Sequence, residues 1–269
     1  RLTTVSPTYA REIQTPYFGE QLDGLLRHRS QALCGIVNGI DDEVYNPAND
    51  SAIAQHYDKE SIALKQVNKR HLQHRLGLPV TKETPVIAMV SRLTEQKGID
   101  LIAHVLDEIL ALDVQFVVLG TGDDGYEELF RKAELRESDK VRAVIGFDEE
   151  LARQIYAGAD LFLMPSRFEP CGLGQLIAMR YGTLPIVRET GGLSDTVQSY
   201  DETSGLGNGF RFANYNAHEM LAVIERAVQL YRDREVWASV VRQAMERDYS
   251  WKQSAAQYME LYRSLMARN

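Results

Sequence analysis

Five times between residues 86 and 199 a short apolar run gives way to a segment whose apolar residues recur at helical spacing. The runs occupy 86–90, 114–119, 141–145, 161–164 and 184–187. The segments that follow occupy 99–112, 126–135, 149–157, 173–181 and 193–199. In the first of these segments Ile102, Val105, Leu106, Ile109 and Leu110 share one face of a helix. A strand followed by a helix meets the next strand in parallel, by a right-handed crossover. The expected fold class is therefore α/β, a parallel sheet with helices on both faces. Loops leaving the carboxyl ends of such strands emerge along one edge of the sheet, and that edge is where ligands bind.

Outside this rhythm the chain is less regular. Residues 204–209 are Gly-rich and read as a loop before a short strand at 210–212, with helices expected at 217–231, 235–247 and 252–266. Residues 1–35 differ in character, with a strand at 2–5 and short helices at 11–17 and 21–29. A boundary is placed near Gly35, where Gly35-Ile36-Val37-Asn38-Gly39 reads as a linker. The chain starts at Arg1 and runs at once into a strand, so it is expected to be a fragment of a longer one.

Composition narrows the function classes. With 44% hydrophobic and 25% charged among 269 residues, the chain can bury a sizeable core. A formal net charge of −8 and the lack of a Lys/Arg-rich run argue against a nucleic-acid partner, which needs a basic face. No apolar run is long enough to span a bilayer, so no membrane partner is expected. Cys34 and Cys171 form neither a disulfide pattern nor a ligand pair, which points to a reducing, cytoplasmic setting. The histidines make no ligand set, and His71 and His74, three apart on a charged helix, are expected at the surface. With no Asp-x-Asp and no arguable Ser/His/Asp triad, no metal site is expected.

The unusual residues fall at the strand ends. Arg92 and Lys97 lie just beyond the first strand, where two cations can meet a diphosphate; the alternative is a solvated pair near a helix start. Gly120-Thr121-Gly122 lacks the remainder of a dinucleotide fingerprint and reads as a tight turn. Phe147, after the third strand, is either a stacking partner for a nucleobase or a core residue. The fourth strand runs into Pro165-Ser166-Arg167-Phe168-Glu169-Pro170-Cys171-Gly172-Leu173-Gly174-Gln175. That stretch sets a carboxylate and a row of backbone N–H groups where strand becomes helix. The pairing suits a nucleotide-sugar, with phosphate on the amides and hydroxyls on Glu169. Glu169 solvated at a helix start is the plainer alternative. Thr190-Gly191-Gly192-Leu193 ends the fifth strand, either as backbone open to a phosphate or as a sharp turn.

On these residues the chain resembles the bacterial glycogen synthases and plant starch synthases. The segment from Thr4 to Ile13 is similar to the one that closes the family's first domain. Gly35-Ile36-Val37-Asn38-Gly39-Ile40-Asp41, Ser91 to Gly98, Pro165 to Leu173 and Thr190 to Leu193 match family motifs in order and spacing, and the likeness spans essentially the whole chain. The resemblance implies a two-domain glycosyltransferase of GT-B type, this chain being the second Rossmann-like domain plus the end of the first. It implies residues 1–35 as the first-domain remnant, 36–249 as the nucleotide-sugar domain and 250–269 as a helix crossing back. The implied reaction is retaining transfer of glucose from ADP-glucose to the non-reducing end of an α-1,4-glucan, releasing ADP, with no cofactor. The missing N-terminal domain is the implied partner.

Matching positions then carry family roles. Arg92 and Lys97 would neutralise the ADP phosphates, and Glu169 would hold a hydroxyl of the donor glucose. Cys171, Gly172 and Leu173 would lend loop and backbone contacts, with Thr190, Gly191 and Gly192 beside them. Phe147 stands where the family stacks adenine, often with Tyr, and Asn38 matches a polar residue on the interdomain connection. Two positions depart: Gly174 stands where Thr is common, and Ile177 where related glycosyltransferases carry a second Glu. The first domain's Lys-x-Gly-Gly-Leu loop does not occur, so the chain alone is not expected to catalyse transfer. Two alternatives are a UDP-sugar-dependent transferase and a non-catalytic nucleotide- or glucan-binding module.

Overall fold

A computed structural model describes residues 1–267. The chain opens with β1 (Leu2–Thr4), α1 (Pro7–Glu12), α2 (Asp23–His28) and β2 (Leu33–Gly35), which pairs in parallel with β1. After α3 (Lys65–Arg75) the repeating units begin. They are β3 (Val86–Val90) with α4 (Ile99–Ala111), β4 (Gln115–Gly120) with α5 (Asp124–Arg136), and β5 (Val141–Ile145) with α6 (Glu149–Gly158). Then come β6 (Leu161–Met164) with α7 (Gly174–Arg180), β7 (Leu184–Arg188) with α8 (Gly191–Thr196), and β8 (Phe210–Phe212) with α9 (Ala217–Tyr231). Helices α10 (Arg234–Met245) and α11 (Trp251–Met266) close the chain.

The main sheet has the order β5-β4-β3-β6-β7-β8, and every neighbouring pair is parallel. The expected α/β class with helices on both sides of a parallel sheet is what the chain adopts. Chain order runs outward from β3 through β4 to β5, then returns to β6 on the other side and runs outward again. The β3–β6 neighbours are thus the topological switch point, where the loops that follow diverge and leave a crevice. The strands owe their near-continuous apolar character to burial on both faces.

The first thirty-five residues depart from expectation in detail. The helix expected at 11–17 lies at Pro7–Glu12, because Ser6 accepts from the Tyr9 N–H at 3.1 Å as its N-cap and Pro7 suits the first helical position. The expected linker at 35–39 begins as the end of β2, a strand too short to show a period of two. It is also tied down: Ser254 Oγ donates to Val37 O at 2.7 Å, and a Cβ on Gly39 would lie 2.3 Å from Trp251 N. His71 and His74 are exposed on α3, as expected of them. The last two residues of the expected segment 250–269 lie outside the described residues.

Candidate functional site

Two loops meet at the switch point. The loop after β3 carries Arg92 and Lys97, and the loop after β6 carries Ser166, Glu169 and Cys171. Backbone zips them together, with the Arg167 N–H donating to Gln96 O at 2.9 Å. Gly98 lets them approach: it sits at φ +76°, and a Cβ there would come within 2.1 Å of the Pro165 carbonyl oxygen. The consequence is a close ion pair, Lys97 Nζ to Glu169 Oε2 at 2.6 Å. Ser166 Oγ donates to the same oxygen at 3.1 Å. Glu169 is buried, yet among the described residues Oε1 has no protein partner. A carboxylate with one oxygen pinned and the other open is fit to accept from a hydroxyl.

Arg92 stands apart from this pair. It is exposed, and its Nη2 donates to Gln96 Oε1 at 3.1 Å. With Gly120, Thr121, Gly146, Phe147 and Asp148 it lines a cavity of about 250 Å³ at the ends of β3, β4 and β5. Phe147 is 92% exposed, so the core alternative for it does not hold. Gly120 packs closely against the loop after β3. It is small because a Cβ would meet the Ser91 carbonyl oxygen at 1.8 Å.

The other expected positions divide into lining and support. Cys171 is buried, and burial pushes its thiol up, with the nearby Asn38 backbone opposing that shift. Asn38 thus lies beside the loop after β6. Gly172 turns the loop at φ +70°, and Leu173, 44% exposed, leads into α7. Thr190, Gly191 and Gly192 lie behind the loop, buried under it. Added Cβ atoms on Gly191 and Gly192 would strike the carbonyl oxygens of Glu169 and Cys171 at 2.0 and 2.1 Å. These glycines therefore shape the Glu169 loop from beneath, with the Gly191 N–H donating to Glu12 Oε1 and the Gly192 N–H to Glu169 O. Both departures also find their place. Gly174 starts α7 where a Cβ would press on the Phe162 ring at 3.0 Å, and Ile177 is buried.

Several supporting residues escaped the sequence reading. Arg188 is buried at the end of β7, where its Nε donates to Ser166 O at 2.8 Å and its Nη2 to Arg167 O. Burial lowers its affinity for the proton, with the nearby Glu12 charge opposing that shift. Gln175 Nε2 donates to Cys171 O, Gly172 O and Thr196 Oγ1 at 2.9–3.1 Å, locking the loop onto α7 and α8. Tyr215 lies under the Arg167 guanidinium at 5.2 Å and donates to Asp100 Oδ1 at 2.5 Å. Only Gln175 stood inside a stretch already singled out. Among the described residues no group of three or more His, Cys, Asp and Glu could hold a metal, and no helix is long and apolar enough to cross a membrane.

A family model described as glycosyl transferases group 1 matches residues 73–244, and one described as starch synthase catalytic domain matches residues 1–28. A glycogen synthase of Anoxybacillus flavithermus is 59% identical over 99% of this chain and 55% of its own length. One of Bacillus cereus is 60% identical over 99% of this chain and 56% of its own length. The chain thus spans about half the length of the curated relatives it matches. The solved catalytic domain of starch synthase IV from Arabidopsis thaliana, bound to ADP and acarbose, superposes with a TM-score of 0.91. It is 40% identical, over 97% of this chain and 55% of that one.

Proposed function

The chain belongs to the group 1 glycosyltransferases, in their glycogen and starch synthase branch, and from that premise we propose that it supplies the donor-nucleotide half of a glucan synthase. That enzyme moves glucose from ADP-glucose to the non-reducing end of an α-1,4-glucan with retention, releasing ADP and using no cofactor. The observation that carries the reading is the switch-point pair, Glu169 with one oxygen held by Lys97 and Ser166 and the other open. An aromatic-rimmed cavity lies one loop away. Adenine lies against Phe147, Arg92 and Lys97 face the diphosphate, and Glu169 accepts from a glucose hydroxyl. Asn38 and the 171–173 backbone flank the sugar.

The chemistry asks for positioning and charge. As C1–O breaks, positive charge grows on the sugar and negative charge on the departing phosphate. Fixed cations beside that phosphate lower the barrier, and a dry, preorganised site makes them count for more than they would in water. The acceptor-side machinery belongs to a preceding domain, with residues 1–35 as its end, 36–249 as the donor domain and the C-terminal helix crossing back. The test is transfer by the full-length protein with ADP-glucose against UDP-glucose, in wild type and in Arg92→Ala. ADP-glucose is expected to be the better donor, and Arg92→Ala to lower turnover on the order of a hundredfold with an unchanged thermal midpoint. Equal use of both donors, or normal turnover in the variant, refutes the assignment.

A further inference from the structure

Helix α1 holds the Glu169 loop at two points. At its N-cap, Ser6 Oγ donates to Pro170 O at 2.7 Å. At its last residue, Glu12 Oε1 accepts from Thr190 Oγ1 and from the Gly191 N–H, each at 2.9 Å. Between them Thr8 joins α1 to Asp195 of α8, through N–H and Oγ1 at 2.8 and 2.7 Å. Gly191 and Gly192 in turn carry the Glu169 backbone. The Gly192 N–H donates to Glu169 O at 3.1 Å and is shared with Pro170 O at 3.2 Å. Glu12 thus reaches Glu169 through two hydrogen bonds joined by the Gly191–Gly192 backbone. Its other oxygen, Oε2, is buried without a partner, although a carboxylate gives up water only at a cost. A surface helix with no further task would not keep a half-satisfied carboxylate at a loop junction.

We propose that Ser6 and Glu12 are positioning residues for Glu169, so that the segment preceding the donor domain sets where the sugar-binding carboxylate stands. The inference rests on the reading of Glu169 as the ligand of the donor glucose. Its physical content is that α1 and the Glu169 loop move as one body. A displacement of α1 relative to α8 shifts the Glu169 backbone through Pro170 O and Gly192 N, and a misplacement of about 1 Å costs catalysis heavily. Neither residue touches substrate in this scheme. The adenine cavity at Phe147 is built from other loops and is untouched by the clamp.

That separation provides the test. Full-length protein carrying Ser6→Ala, Glu12→Ala, Glu12→Gln or Glu169→Gln is assayed for kcat, for KM toward ADP-glucose and for ADP affinity by calorimetry. Glu12→Ala is expected to lower kcat roughly tenfold or more, with ADP affinity within twofold of wild type. Glu12→Gln keeps an acceptor for Gly191 and Thr190 and should recover most of the rate. Ser6→Ala should show a smaller loss of the same kind. Wild-type turnover in Ser6→Ala and Glu12→Ala beside a crippled Glu169→Gln overturns the clamp and leaves the role of Glu169 standing. ADP affinity falling in step with turnover also overturns it, since that marks general damage to the fold. Full turnover in Glu169→Gln removes the underlying reading and the clamp together.

Discussion

Phe147 exposes 92% of its surface, more than any other large apolar side chain among the described residues, and it does so beside Arg92 at the mouth of a cavity. A ring left in water forgoes the stabilisation that burial would bring, so removing it should leave the fold nearly unchanged. Phe147→Ala is expected to weaken ADP binding by about 1–3 kcal/mol, the range found for bases stacked on aromatics. Calorimetry with ADP and a thermal melt check both halves, and unchanged affinity would place adenine elsewhere. At this scale Arg92, Lys97 and Glu169 were legible, since each is an unusual residue type just past an apolar run. Ser166, Arg188 and Glu12 were not. They act by bonding to backbone or to residues distant in sequence, and a serine, an arginine and a glutamate look ordinary until those partners are brought near.

Helix α3 is charged in composition and carries His71 and His74 on its exposed side. Its charged appearance suggests a solvated face, yet Lys65, Asn68, Lys69, Leu72 and Gln73 are all buried. Lys69 pairs with Asp160 at 2.8 Å and also donates to Thr84 O and Tyr231 Oη, each at 2.7 Å. Asp160 accepts from the Val86 N–H at 2.8 Å as well, so the pair ties α3 to the entries of β3 and β6. Lys69→Met strands a buried carboxylate and is expected to cost about 3–5 kcal/mol, read by urea unfolding. Lys65 meets Tyr156 O, Ala157 O and Thr183 Oγ1. Burial holds its ammonium down to about 7, with Asp160 opposing and Lys69 adding to the shift. The unfolded chain keeps that proton to about 10.4. The unfolded state therefore binds more protons between roughly pH 7 and 10, and stability should rise with pH across that window. Lys65→Met should flatten that rise in a pH series of unfolding midpoints, and an unaltered slope would assign it to other groups.

For the whole molecule, the question is what the exposed apolar surface of α11 faces. Trp251, Met259 and Tyr262 are 49%, 49% and 54% exposed, and Ser254 is the helix's one buried residue. A stripe of that kind on a helix tethered near its start, through Val37 and Ile40, is ready to dock against another body. We propose the preceding domain as that body. Amide exchange over 252–266 should then be slower in the full-length protein than in residues 1–269 alone. Equal, strong protection in both, with the shorter chain monomeric, would exclude the docking.

The sequence by itself determined the layer architecture, because five apolar runs alternating with helical segments permit only parallel crossovers. It also determined that the strand-end loops share one edge, as they do in any such sheet. It could not determine strand order, and strand order decides the site. Placing β6 beside β3 is what brings Lys97 within 2.6 Å of Glu169 across 72 residues of chain. The glycines carry the same lesson. Gly191 reads equally well as a sharp turn or as backbone open to a phosphate, and the Glu169 carbonyl packed against it is nowhere visible in the sequence. Periodicity is local and survives in a linear string. Which carbonyl faces which glycine, and which carboxylate faces which lysine, follows from pairing energies summed over the whole sheet, and these exist only once the chain is folded.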